Sequence, residues 1–371
     1  MNSKIKVFVD VFCYKTSAAG IKTYIDQLNH GFKNYQNKNI EYIFSHNILK
    51  NTKHSFYFNS NYRFVRLVYH LHYFLWKQIV LPIKTYFYNV DYLICPDFVL
   101  PFCKLNAKKI CVIHDTLFWD YPESYNYLWR KYFLKMISLG IDDFTEIVTT
   151  SNYSKSKINR IFQKNNIHVN YQSILISNKL LTTPIFYKNN FKYILHVGSF
   201  EIRKNLLLLV KAFKILKEKK DTNIKLILAG NNNFFGNSSV KNNINLFLKK
   251  NKLLNEVIMP GYLSDSEVSF LYANATTYVF PSIDEGFGIP VLEAFYFNCP
   301  ILCSNTGALK EVAGDAALFF DKNSCIDLSE KLIKIIYNEQ ISHSLILKGK
   351  NRLNTFSLEK FIKNFENIIT D

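Results

Sequence analysis

Two carboxylates, Glu285 and Glu293, bracket a glycine-rich turn in Pro281-Ser-Ile-Asp-Glu-Gly-Phe-Gly-Ile-Pro-Val-Leu-Glu-Ala294. The segment follows an apolar strand-like run, and Pro290 suits the first turn of a helix, where a missing N–H costs nothing. Gly286 and Gly288 let a ligand approach the backbone closely. A helix start offers unbonded N–H groups and a positive dipole end to an anion. Two glutamates at such a start either complement the dipole or accept hydrogen bonds from the hydroxyls of a ligand whose phosphates occupy the helix end.

The neighbouring chemistry favours the second reading. His196-Val-Gly-Ser-Phe-Glu-Ile-Arg-Lys-Asn205 is a strand end, a glycine turn and two adjacent cations, followed by the apolar helix pattern Leu206–Phe213. Arg203 and Lys204 at the carboxyl end of a strand can neutralise a diphosphate. In the first half, His114 and Asp115 close another strand-like run, Ile110–His114. A lone histidine there serves packing as readily as chemistry; His196 reads as a packed residue.

The elements that must position these groups are legible as short β-rich runs between helical patterns: 6–10, 42–45, 92–95, 110–114 and 147–150, then 193–197, 226–229, 257–259, 278–280 and 301–303. Strands alternating with helices imply parallel sheets covered on both faces. Ligands collect at the carboxyl ends of such strands. Glycine is scarce, 12 residues in 371, and most of the twelve fall between Gly198 and Gly314, just after strands or at helix starts. The polar stretch 182–190 reads as a linker between two Rossmann-like halves.

Composition bounds the class. A 48% hydrophobic, 20% charged chain of 371 residues has ample core for two domains and is no disordered linker. Its net charge of +17 asks for an anionic partner. That partner belongs to the first half, because residues 1–190 carry 24 Lys/Arg against 11 Asp/Glu and residues 191–371 carry 22 against 18. Seven cysteines without a Cys-x-x-Cys pair argue against a disulfide framework or zinc site and for a reduced, cytoplasmic setting. Cys95, Cys103 and Cys111 are expected to be packed thiols. No secretory signal or membrane-spanning run is expected.

At this point the sequence resembles a family, the retaining glycosyltransferases of family 4, which have the GT-B fold. Glu285 and Glu293 match its E-x7-E motif, Arg203-Lys204-Asn205 the R-K-N block of one branch, and Asn305…Glu311 a further donor-domain signpost. The likeness is specific over 191–321 and looser before it, where Ile113-His114-Asp115 resembles an I-H-D segment and Ala19-Gly20 a glycine loop. Ser199 departs from the pattern, since many relatives carry arginine after the strand glycine.

The resemblance implies two Rossmann-like parallel-sheet domains facing across a cleft. Residues 1–185 would bind acceptor, residues 186–355 nucleotide-sugar donor, and residues 356–371 would form a helix returning to the first domain. Glu293 would hold ribose hydroxyls and Glu285 the transferred sugar. Lys204 with Arg203 would balance the departing diphosphate, helped by the N–H groups of Phe287, Gly288 and Ile289. His114 would reach the reacting sugar, with Gly20 and Asp115 on the acceptor or phosphate loop. The expected activity is metal-independent hexosyl transfer with retention, first from GDP-mannose, to a glycan or lipid-linked acceptor in cell-surface polysaccharide or lipopolysaccharide synthesis. No cofactor is implied, and no Asp-x-Asp occurs.

Two basic aromatic stretches, 63–87 (Arg63, Arg66, Trp76, Lys77, Lys84) and 127–137 (Trp129), could lie on an anionic bilayer at the inner face of the cytoplasmic membrane, or simply pack on the sheet. Pro82 should bend or end the first. Competing readings are a nucleotide-sugar epimerase of similar fold and a basic nucleic-acid-binding protein. The latter is disfavoured because the aromatics lie within apolar runs and no recognition motif accompanies them.

Overall fold

β-Branched and aromatic runs flanked by helix-forming segments produce two separate six-stranded parallel sheets. The computed structural model describes residues 4–17, 19–35, 37–48, 63–175, 180–187, 191–220, 222–230 and 239–370. The chain divides into one unit of Met1–Leu175 with Leu358–Asp371 and a second of Ile176–Ser357. The division falls earlier than 185/186, and residues 188–190 of the expected linker lie outside the described residues.

The first unit holds β1 (Ile5–Val9), β2 (Ile40–Phe44), β3 (Tyr92–Cys95), β4 (Lys108–Val112), β5 (Glu146–Thr149) and β6 (Ile167–Val169), in the order β2-β1-β3-β4-β5-β6. The second holds β7 (Tyr193–Val197), β8 (Lys225–Ala229), β9 (Val257–Gly261), β10 (Thr277–Phe280), β11 (Ile301–Ser304) and β12 (Leu318–Phe320), ordered β12-β11-β10-β7-β8-β9. Every run expected from sequence overlaps a strand. The two strands it missed, β6 and β12, are three residues long and lie at sheet edges.

Order reverses between β1 and β3 and between β7 and β10, so each sheet opens a crevice at the carboxyl ends of those strands. The ladder between β7 and β10 covers only Thr277↔Ile194 and Tyr278↔Leu195. Just beyond it the buried His196 spans the gap, its Nδ1–H donating to the Val279 carbonyl at 2.9 Å.

Helix burial follows the 3.6-residue period. Leu206–Lys219 buries Leu206, Leu209, Val210, Phe213 and Leu216. The C-terminal helix Leu358–Thr370 buries Phe361, Ile362, Phe365 and Ile369 in the core of the first unit, with Tyr24, Leu28 and Phe32. Gly31 permits that approach, since a Cβ there would lie 2.3 Å from Ile362 Cδ1.

Three expectations are corrected. Lys77 and Trp76 are not surface residues of a membrane-facing stretch. Lys77 is fully buried, its Nζ 2.7 Å from Asp10 and 2.6 Å from Asp97, and the buried Trp76 indole donates to Asp10 at 3.0 Å. The carboxylates stand at the ends of β1 and β3, where only an internal cation can balance them. Pro82, expected to bend or end the stretch, does not end it. A π-helical turn, Trp76–Val80, precedes it, with Leu81 N–H bonding to Trp76 O, and Pro82 then enters a new helix, Leu81–Phe87, at its first turn. The proline's missing N–H therefore falls where the helical bonding is already rearranged. Finally, Cys103 is exposed, whereas Cys95 and Cys111 are buried on adjacent strands. No helix among the described residues is long and apolar enough to cross a membrane.

Candidate active site

The turn after β7 and the loop after β10 bring their charged residues together at the crevice of the second sheet. Arg203 and Lys204 sit on a single 3-10 turn, Ile202–Lys204, closed by Asn205 in the left-handed conformation (φ 54°). Asn205 is held there by its amide donating to Lys322 O at 2.8 Å. Ile283 N–H donates to Arg203 O at 2.7 Å and thereby ties the two loops. Glu285 Oε1 then receives both cations, Lys204 Nζ at 2.6 Å and Arg203 Nη1 at 2.8 Å.

The electrostatics of this cluster are decided by competition. Burial pushes the Glu285 carboxyl up, but Arg203 and Lys204 outweigh it and hold the pKa down at about 2. Lys204 is lowered, by burial first and by the like charge of Arg203, with Glu285 opposing. Its ammonium also lies 5.1 Å from the centre of the Phe280 ring. Glu285 is thus a permanent anion, and the two cations are concentrated where a phosphate could replace or share it.

The adjoining helix, Ile289–Tyr296, starts from Gly288 at φ 108° with Pro290 in its first turn. A Cβ on Gly288 would lie 2.7 Å from Leu309 Cδ2, so conformation and packing both demand glycine. Phe287 is buried edge-on against Phe356. The first N–H groups of a helix have no intrahelical acceptor, which places Gly288 and Ile289 in an anion-receptive position. Glu293 follows one turn later. Burial raises its carboxyl above the usual carboxylate range, opposed by the Tyr272 hydroxyl.

His114, Asp115 and Gly20 belong to the first unit. His114 is buried; its Nε2–H donates to Pro96 O at 2.8 Å and its ring stands edge-on to Tyr24. Burial lowers its pKa to about 4, so it is neutral, with Nδ1 carrying the lone pair. Asp115 Oδ1 accepts from Leu117 N–H at 3.1 Å and starts the next short helix. Gly20 is exposed in the first turn of Ala19–Asn34, with open space where a Cβ would go.

Sequence reading overlooked Glu201, which joins the cluster through Arg203 Nε at 2.9 Å. An acid two positions before the arginine in the same loop was the available signal. It also overlooked the Asp10–Lys77–Asp97 group, whose members are distant in sequence. Asp10, Asp97 and Cys95 are the grouping of metal-ligating side chains found among the described residues, and Lys77 already lies between the carboxylates.

Comparison with known proteins agrees with this architecture. Residues 184–352 match the family Glycosyl transferases group 1. The chain is 27% identical to O-antigen chain mannosyltransferase B of Escherichia coli over 71% of its own length and 70% of that protein's. It is 27% identical to O-antigen chain mannosyltransferase RfbU of Salmonella typhimurium over 58% and 57%. WaaG, a glycosyltransferase involved in lipopolysaccharide biosynthesis, superimposes with a TM-score of 0.68 at 15% identity, over 99% of this chain and 100% of that one. The fold is GT-B, and residues 184–352, which match Glycosyl transferases group 1, span the Arg203–Lys204–Glu285–Glu293 site.

Proposed function

We propose that this glycosyltransferase moves a hexose, first mannose from GDP-mannose, to a glycan or lipid-linked acceptor in cell-surface polysaccharide or lipopolysaccharide synthesis, with retention and without a metal. The observation that carries the reading is the pair of cations, Arg203 and Lys204, converging on Glu285 beside a glycine-opened helix start. The mannosyltransferase relatives support the choice of sugar.

The diphosphate would lie against Lys204, Arg203 and the helix start, which together offset the charge that grows as it departs. Glu293 would accept from the ribose hydroxyls and Glu285 from a hydroxyl of the sugar, both in their charged forms. The C1–O bond to the β-phosphate breaks, and an acceptor oxygen forms the new C1–O bond on the same face. The acceptor proton passes to the departing phosphate oxygen. His114, neutral and fixed by Pro96, would accept from a sugar hydroxyl through Nδ1, with Asp115, which starts the next short helix, and Gly20, in the first helical turn of Ala19–Asn34, beside the acceptor.

We assign contact with an anionic membrane, at the inner face of the cytoplasmic membrane, to the first unit, and no nucleic acid to either. A panel of nucleotide sugars scored by thermal shift, followed by NMR of the product's anomeric configuration with and without EDTA, tests the reading. Stabilisation by GDP-mannose and an EDTA-insensitive retained product are expected. An inverted product, loss of activity in EDTA, or conversion of donor without acceptor would each overturn a stated part.

A further inference from the structure

We infer that Glu201 is a positioning residue for donor binding, holding Arg203 by one edge so that its other edge is presented to the diphosphate. The inference rests on the donor reading above. Arg203 donates through Nε to Glu201 Oε2 at 2.9 Å, while its Nη1 reaches Glu285 Oε1 at 2.8 Å. A guanidinium is a rigid planar fork, so fixing Nε fixes the direction of both terminal nitrogens. Glu201 is itself fixed, because its second oxygen, Oε1, accepts from Ser199 Oγ at 2.5 Å. Its backbone carbonyl accepts from Lys204 N–H at 3.0 Å, so one residue sets the turn carrying both cations.

This gives the Ser199 side chain a purpose. A hydroxyl there anchors the acid that aims Arg203. The arrangement is also electrically economical: Glu201 and Glu285 balance Arg203 and Lys204 while the site is empty, and Glu201 stays on the outer edge of Arg203 when phosphate arrives.

The sign of one substitution separates this role from a bland one. An acid that merely lies near an anion site repels the ligand, so its removal would tighten nucleoside diphosphate binding. If Glu201 aims Arg203, Glu201→Ala weakens binding, by about tenfold for one lost charge-assisted contact. Calorimetric titration with GDP, UDP and ADP, on whichever the wild type binds, measures this against the matching nucleoside. Weaker diphosphate binding with unchanged nucleoside binding is expected. Glu201→Gln, which keeps an oxygen for Nε, should retain most of the affinity and covers the case in which the alanine variant fails to fold. In an Arg203→Ala background Glu201→Ala should cost nothing further. Tighter or unchanged binding, or an equal loss in the Arg203→Ala background, overturns the inference while leaving the donor reading intact. A wild type that binds no nucleoside diphosphate overturns both.

Discussion

Glu293 and Glu285 sit in one loop–helix segment yet are pushed in opposite directions. Burial lifts Glu293, whereas Arg203 and Lys204 hold Glu285 at about 2. Of the two, only Glu293 therefore titrates above the ordinary carboxylate value. Its charged form costs folding stability above its raised pKa, a cost relieved as pH falls; Glu285 contributes stability above the ordinary carboxylate pKa that is lost only as pH falls toward 2. Protonated Glu293 accepts poorly from ribose hydroxyls, so nucleoside diphosphate affinity should decline as pH drops through the raised value, and Glu293→Gln should flatten that limb. Calorimetry at a series of pH values decides it; an unchanged limb in Glu293→Gln would assign the titration elsewhere. Glu293→Ala should weaken nucleotide binding by about 1.5–3 kcal/mol. Lys77 is the counter-ion of a second buried group: burial and the Asp10 charge raise Asp97, while Lys77 overcomes burial to lower Asp10. Lys77→Met strands both carboxylates and should cost about 3–5 kcal/mol in urea unfolding. A loss under about 1 kcal/mol would show that the triad contributes no more than a surface pair, and adding Asp10→Asn and Asp97→Asn should recover part of the loss.

Among the elements, the C-terminal helix bears most directly on stability. It supplies four buried side chains to the first unit, Phe361, Ile362, Phe365 and Ile369. At about 1.5–3 kcal/mol each, and even as an upper estimate, their sum rivals the whole stability of an ordinary domain. A chain ending at Ser357 should therefore lose cooperative unfolding of the first sheet, read by hydrogen exchange at β1 and β4, while β7 and β10 keep their protection. Equal protection in both sheets would refute that dependence. The helix was legible because Phe, Ile and Leu recur at helical spacing, and the ten principal strands were legible because β-branched runs end in turn residues. Edge strands β6 and β12 were not, because three residues carry no period. Within the site, Arg203, Lys204, Glu285 and Glu293 were readable from local spacing, since each loop's chemistry is contiguous. What could not be read was which partner each charge takes. Lys77 looks like a solvated cation on an aromatic helix until Asp10 and Asp97, from two other loops, are placed beside it.

Charge along the chain, and exposed apolar surface among the described residues, draw attention to the first unit. Its helical path from Arg63 to Phe87 exposes Leu67, Leu71, Leu75, Ile79, Ile83 and Phe87, each four residues after the last. In a continuous α-helix a four-residue step overshoots one turn by about 40°, so such a series drifts around the axis. The π turn at Trp76–Val80 takes more residues per turn and rotates the series back. The same turn directs Trp76 and Lys77 inward, which separates the buried pair from the exposed stripe. On the helix Tyr127–Gly140, Tyr127, Leu128 and Leu139 are exposed alongside Lys131 and Lys135. Apolar stripes accompanied by cations fit an anionic bilayer, where each Lys or Arg near the surface adds about 1 kcal/mol. Vesicle co-sedimentation tests this with two variants that spare Lys77. Replacing Arg63, Arg66, Lys131 and Lys135 by Gln should remove the salt-sensitive part of binding to anionic vesicles, as screening does. Replacing Ile79, Ile83 and Phe87 by Ser should remove what persists at high salt. If both variants pellet as the wild type does, the cations and the stripe only face water, and the acceptor must be met without a membrane.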